Sequence, residues 1–136
     1  MTKQEMQQRT RSFALRVIKA TQALPENRVG NVLGSQLLRS GTSVGANYRA
    51  ACRAKSPADF ISKLGNVEEE ADESGFWMEM LSDPGKATSS QIKPLLQEAN
   101  ELVAIMIASI NTTKKSSGKT RTPTSPIPHS ALRTPN

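Results

Sequence analysis

The sequence holds one cysteine, Cys52, and one histidine, His129. A single cysteine excludes an internal disulfide, and the two residues together are too few for a zinc site built from Cys and His. One histidine near the C-terminus also leaves no Ser-His-Asp arrangement, because a general base must lie within hydrogen-bond reach of its nucleophile. The longest apolar run, Leu102 to Ala108, has seven residues, against the roughly 20 that a membrane-spanning helix needs. The opening Met1-Thr2-Lys3-Gln4-Glu5 lacks the apolar stretch of a secretory signal. These absences predict a soluble, cytoplasmic protein with no membrane partner. Aromatics are scarce as well: Phe13, Tyr48, Phe60, Phe76 and Trp77 complete the set, and they form no array on which successive bases would stack. There is no sustained period-two alternation, hence no expected strand, and no Gly-x-Gly-x-x-Gly loop to cradle a phosphate. No catalytic residue, metal or cofactor is expected.

Acidic residues are missing altogether beyond position 113. Of the 18 Lys and Arg, five (Lys114, Lys115, Lys119, Arg121, Arg133) lie there, so the segment carries +5 and residues 1–113 only +1. Segment 114–136 also holds four of the eight prolines and little that is apolar. Such a composition cannot offset the entropy of ordering, and a disordered basic tail is expected. The remaining 113 residues suit one domain.

Within that body, prolines at 25, 57, 84 and 94 mark boundaries. Thr2-Lys3-Gln4-Glu5 has the pattern of a capping box, and Phe13, Val17, Ala20 and Leu24 follow at helical spacing. A second helical seam runs through Leu33, Leu37, Ser40, Val44, Asn47 and Ala51. The third opens with Ser56 as N-cap, Pro57 in the first helical position and Asp59 near the positive dipole end, then continues through Phe60, Leu64, Val67, Ala71, Ser74, Met78 and Leu81. After a turn at Ser82-Asp83-Pro84-Gly85, the fourth seam is Ile92, Leu96, Ala99, Val103, Met106 and Ile110. The expected helices span about 3–24, 28–54, 57–82 and 90–112, and the expected fold is all-α, an antiparallel up-and-down four-helix bundle.

Four glycines inside the second helix, Gly30, Gly34, Gly41 and Gly45, should each cost about 1 kcal/mol relative to alanine, so they need a packing reason. With Tyr48 and Cys52 they occupy one arc of roughly 60°. Close backbone contact is expected there, with a helix of the same chain or with another subunit.

On the same helix Arg39, Arg49 and Arg53 fall within about 80° of each other, opposite the core stripe. Residues 9–55 carry nine basic side chains against Glu26, whereas residues 59–101 carry ten acids against three lysines. On the third helix Glu68, Asp72 and Glu79 make an acidic stripe. The two stripes admit three readings: solvated faces, charge-matched packing between helices or subunits, or an arginine face that holds phosphates. The phosphate reading takes in Arg39, Arg49, Arg53, Lys55, Arg16 and Lys19. The contact reading takes in the four glycines, Tyr48, Glu68, Asp72 and Glu79.

The stretch from Gln36 to Arg49 (QLLRSGTSVGANYR) resembles the bacterial four-helix-bundle proteins related to those encoded by intervening sequences of large-subunit ribosomal RNA genes. The likeness continues through Ala54-Lys55-Ser56, Asp59 to Leu64, Glu70 to Ser74, Trp77-Met78-Glu79, Glu101 to Ile105 and Ala108-Ser109-Ile110. It spans about residues 6–115. The resemblance implies a homopentameric ring without enzymatic activity. Relatives acting as accessory proteins of diversity-generating retroelements are associated with nucleic acid and a reverse transcriptase through basic surfaces, and Arg39, Arg49 and Arg53 match basic positions of the second-helix motif. The expected function is a non-enzymatic oligomeric scaffold that binds RNA or DNA through phosphate contacts, the alternative being an adaptor for a protein partner.

Overall fold

The computed structural model describes residues 1–82 and 89–118. Four helices make up the described chain: α1 (Lys3–Gln22), α2 (Arg28–Ala51), α3 (Pro57–Ser82) and α4 (Ser89–Gly118). Among the described residues there is no strand. Successive helices pack side by side in antiparallel order, and α4 returns to α1 through a sparser contact. The fold is an up-and-down four-helix bundle.

The helix starts follow from local chemistry. Thr2 Oγ1 accepts from the Glu5 N–H at 3.0 Å, and the Glu5 carboxylate accepts from the Thr2 N–H at 2.8 Å. Two donors that a helix start leaves unpaired are thereby satisfied. At α2, Asn27 Oδ1 accepts from the Gly30 N–H. At α3 the Ser56 hydroxyl accepts from the Asp59 N–H, and Asp59 accepts in turn from the Lys55 N–H.

Three of the helix ends differ from the spacing-based expectation. α1 stops at Gln22 rather than at residue 24, because Leu24 precedes Pro25 and that position disfavours helical backbone. α2 stops at Ala51, and the Arg53 and Ala54 N–H groups turn back onto carbonyls three residues earlier. α4 runs six residues beyond the expected end at 112, so Lys114 and Lys115 belong to the helix rather than to a tail. There the Thr113 and Ser117 hydroxyls donate to carbonyls four residues before them, which lets hydroxyl residues continue the helix. Pro94 sits inside the second turn of α4, so it does not end a helix. The turn expected at Ser82 to Gly85 and the tail beyond Gly118 lie outside the described residues.

The core is built from Phe13, Val17, Leu37, Val44, Leu64, Val67, Met78, Leu102 and Met106, all fully buried. In α4 the buried seam uses Leu95 and Leu102, whereas Leu96 and Val103 are only half-buried. Leu95 and Leu96 are adjacent apolar residues, as are Leu102 and Val103, so spacing alone did not separate the neighbouring registers. Ser40 and Ser74 are buried where α2 meets α3, and the Ser74 hydroxyl donates to Ser40 Oγ at 2.9 Å. Asn47, expected in the core, is half-buried.

Candidate nucleic-acid interface

The glycine arc of α2 faces α1. A methyl group at Gly41 would lie 2.7 Å from both Cγ atoms of Val17, and one at Gly45 would lie 3.3 Å from the Thr10 carbonyl oxygen. One at Gly34 would meet Leu24 at 3.0 Å. Gly41 and Gly45 thus meet α1, and Gly34 meets the connection that follows it. Gly30 plays another part, because a Cβ there would meet the Pro25 carbonyl at 2.7 Å in the connection preceding α2. Tyr48 is buried, and desolvation first, then the Cys52 thiol, pushes its phenol up to about 12.

Close approach with so few side chains leaves a groove along the α1–α2 line. Its floor is Ala14, Thr42, Gly45 and Ala46, and its rim carries Gln7, Arg11, Arg49 and Arg53 around a volume of about 450 Å³. Arg11, Arg49 and Arg53 are exposed, and none has a carboxylate partner among the described residues. Further along, toward the start of α2, the line continues into a second hollow bordered by Thr21, Glu26, Asn31, Gly34 and Ser35. The groove itself is lined by cations and no acid, and Glu26 lies only in the separate hollow beyond it.

The six basic residues singled out from the sequence therefore divide. Arg49 and Arg53 share the groove. Arg39 faces α3 instead, where it pairs with Glu70 at 3.3 Å and with Glu73. Those bonds, the one to Glu73 foremost, hold the Arg39 guanidinium above its ordinary value. The charge-matched reading is thus correct for Arg39, but its acids are Glu70 and Glu73 and not the stripe Glu68, Asp72 and Glu79. Of that stripe, Asp72 and Glu79 are exposed and Glu68 is half-buried. Glu73 also accepts from the Trp77 indole at 3.0 Å, and that bond, with Arg39 behind it, holds its carboxyl below the usual range. Arg16 and Lys19 are exposed on α1 away from the groove; Arg16 lies seven residues, nearly two full turns, from Arg9. Arg9 itself clasps Glu98 at 2.7 Å and Glu101 at 2.8 Å across the α1–α4 contact. Lys55 stands at the end of the bundle beside Lys3.

Arg11 is the groove residue that charge counting along α2 missed. Its signal was present: Gln7, Arg11 and Ala14 recur at helical spacing on the flank of the α1 seam, where a helix neighbour is met.

Among the described residues no helix is long and apolar enough to cross a membrane. Comparison with known proteins supplies the remaining findings. Residues 2–108 match the family described as 23S rRNA-intervening sequence protein. No curated protein matches this chain. A crystal structure of a protein of unknown function from the S23 ribosomal protein family of Bacteroides thetaiotaomicron is 33% identical, with a TM-score of 0.74. The match covers 82% of this chain and 99% of that one.

Proposed function

This chain belongs to the 23S rRNA-intervening sequence protein family, and we propose that it is a non-enzymatic, self-associating helical scaffold that holds RNA or DNA by its phosphates. The observation that carries the reading is the α1–α2 groove: three guanidinium groups, Arg11, Arg49 and Arg53, surround a floor of small side chains, and no carboxylate lines it. Arginine presents a planar fork of donors that matches phosphate oxygens, and an unpaired guanidinium gives up no existing ion pair to bind one. Arg39 would have to break its bonds to Glu70 and Glu73, so it is left out of the binding set. Phosphate contacts position a strand without reading its sequence, and the paucity of aromatics agrees with backbone recognition.

Fluorescence anisotropy with a labelled single-stranded oligonucleotide tests this. Three neutralised phosphates give a log–log salt slope of about −2, so affinity should fall about 20-fold between 50 and 200 mM salt. No binding at low salt, or binding indifferent to salt, contradicts the proposal.

The homopentamer implied by family resemblance is a second element of the proposal, read by native mass spectrometry after nuclease treatment. A protein partner is the competing role. Phe76 favours it, being 49% exposed on α3 with its ring 5.0 Å from that of Trp77 and exposed acids, Asp72 and Glu79, on the same helix. A reverse transcriptase is the partner that family resemblance implies. Capture of a protein that persists after nuclease and is lost on Phe76→Ser would favour the adaptor role.

A further inference from the structure

The cationic groove does not stop at Arg53. Lys3, Gln7 and Arg11 succeed one another at single helical turns along α1, covering about 12 Å at 1.5 Å per residue. Arg49 in the last turn of α2 and Arg53 just beyond its end continue beside them toward Lys55. The track ends in a pocket of about 610 Å³ at the end of the bundle, where all four helices meet. Ala51, Ala54, Pro57 and Phe60 supply its apolar part, and Thr112 and Ser116 of α4 stand on its far side. The portion of α4 beyond residue 112, which the sequence did not lead us to expect, forms part of that wall.

The polar equipment of the pocket is one-sided. The Lys3 ammonium rests 4.7 Å from the centre of the Phe60 ring, and Lys55 contributes a second ammonium. Neither has an ion-pair partner among the described residues, and no Asp or Glu lines the pocket. Asp59, the nearest acid in sequence, is committed to the Lys63 ammonium at 2.7 Å and to the Lys55 N–H. The hydroxyls of Thr112 and Ser116 have no hydrogen-bond partner among the described residues. Two point charges and free hydroxyls beside an apolar surface suit a doubly charged anion attached to an organic body.

An internal phosphodiester carries a single charge, and its chain must leave on both sides. A terminal phosphate monoester carries about −1.5 to −2 at pH 7 and offers three acceptor oxygens. We propose that the pocket bounded by Lys3, Lys55, Phe60 and Ser116 captures the terminal phosphate of a nucleic-acid strand whose preceding phosphates lie in the Arg11–Arg49–Arg53 groove. The inference rests on the groove reading for the path of the strand, and it adds recognition of an end.

The test compares three labelled single-stranded decanucleotides of one sequence, carrying a 5′-phosphate, a 3′-phosphate or hydroxyls at both ends, titrated against the full chain. One phosphorylated form should bind about 5- to 10-fold more tightly than the hydroxyl form, and whichever end is preferred sets the polarity of the strand. In Lys3→Gln/Lys55→Gln that preference should fall to about 1-fold, whereas in Arg49→Gln/Arg53→Gln all three affinities should drop while the preference persists. A nucleoside monophosphate titrated alone reads the pocket without the groove: NMR shifts at Phe60 and Ser116 are expected with it and not with the nucleoside. Equal affinity for all three oligonucleotides, or a preference that survives loss of both lysines, overturns the inference and leaves the groove reading standing. Oligonucleotides that fail to bind, together with monophosphate shifts at the pocket, defeat the groove reading alone. Absence of both signals defeats the two together.

Discussion

The two long flanks of α2 solve the same packing problem in opposite ways. Toward α3 it meets its neighbour through side chains that are fully occupied: Ser40 with Ser74, and Arg39 with Glu70 and Glu73. Toward α1 it meets its neighbour through the absence of side chains, at Gly41 and Gly45, and the arginines on that rim have no ion-pair partner among the described residues. Burial and pairing consume the polar chemistry of the first flank. The second leaves its cations available to something outside the chain, and that difference locates the candidate function.

The contrast can be broken most severely at Gly41. Replacing it by Leu drives a side chain into Val17, a buried β-branched residue with little room to turn. Overpacking of this kind costs typically 1–3 kcal/mol and occasionally more; we expect about 3 kcal/mol, read as a lower denaturation midpoint. The loss should appear as unfolding of the bundle. Clean dissociation of a still-folded chain would instead place the arc between subunits.

The occupied flank should respond more gently. Ser40→Ala removes the bond from Ser74 and the longer bond that the Ser40 hydroxyl donates to the Leu37 carbonyl, and leaves Ser74 able to donate to the Glu70 carbonyl at 2.8 Å. A cost of about 1 kcal/mol is expected, and adding Ser74→Ala should cost less than a second such change would alone. Strict additivity would show that the two hydroxyls do not act as a pair.

Gly65 provides the control for the glycine argument, since a methyl group there meets nothing within 4 Å. Gly65→Ala should therefore gain stability, by about 0.5–1 kcal/mol, through helix propensity and a more restricted unfolded chain. A loss would mean that this surface is covered.

How much of this was legible beforehand depends on which physical signal was asked to speak. Capping chemistry at Thr2, Ser56 and Pro57 and most of the seams of the first three helices are local properties and read correctly from the chain, Asn47 being the exception in the second. The helical wheel also placed the glycines on one arc, yet an arc has a direction and no neighbour, so the identity of α1 as their partner waited for the structure. The arginines show the same limit more sharply. An arc of about 80° on a helix of 3.6 residues per turn is wide enough to straddle the ridge. Arg39 therefore fell to the α3 side while Arg49 and Arg53 fell to the α1 side. Arg11 was overlooked because a groove belongs to two helices, and one helix read alone shows half of it.

Acid should loosen the occupied flank first. Glu73, kept ionised by Trp77 and Arg39, has its carboxyl below the ordinary value of 4.5. A lowered folded value means that the folded state binds fewer protons than the unfolded state. The associated stability is thus present above about pH 4.5 and is lost as pH falls through the folded value. Trp77 fluorescence should report the change, and Arg39→Gln should move its onset to higher pH. An onset unaffected by Arg39→Gln would remove Arg39 from that network.

The most direct measurement sets the two flanks against each other in one binding assay. Arg49→Gln/Arg53→Gln and Arg39→Gln are each titrated with the same single-stranded oligonucleotide across a salt series. The double variant should lose about 1.4 units of the log–log salt slope, two contacts at about 0.7 each, while Arg39→Gln retains nearly the wild-type slope. Equal losses from the two proteins, or a loss confined to Arg39→Gln, would contradict the claim that the open α1–α2 groove is the phosphate-binding face.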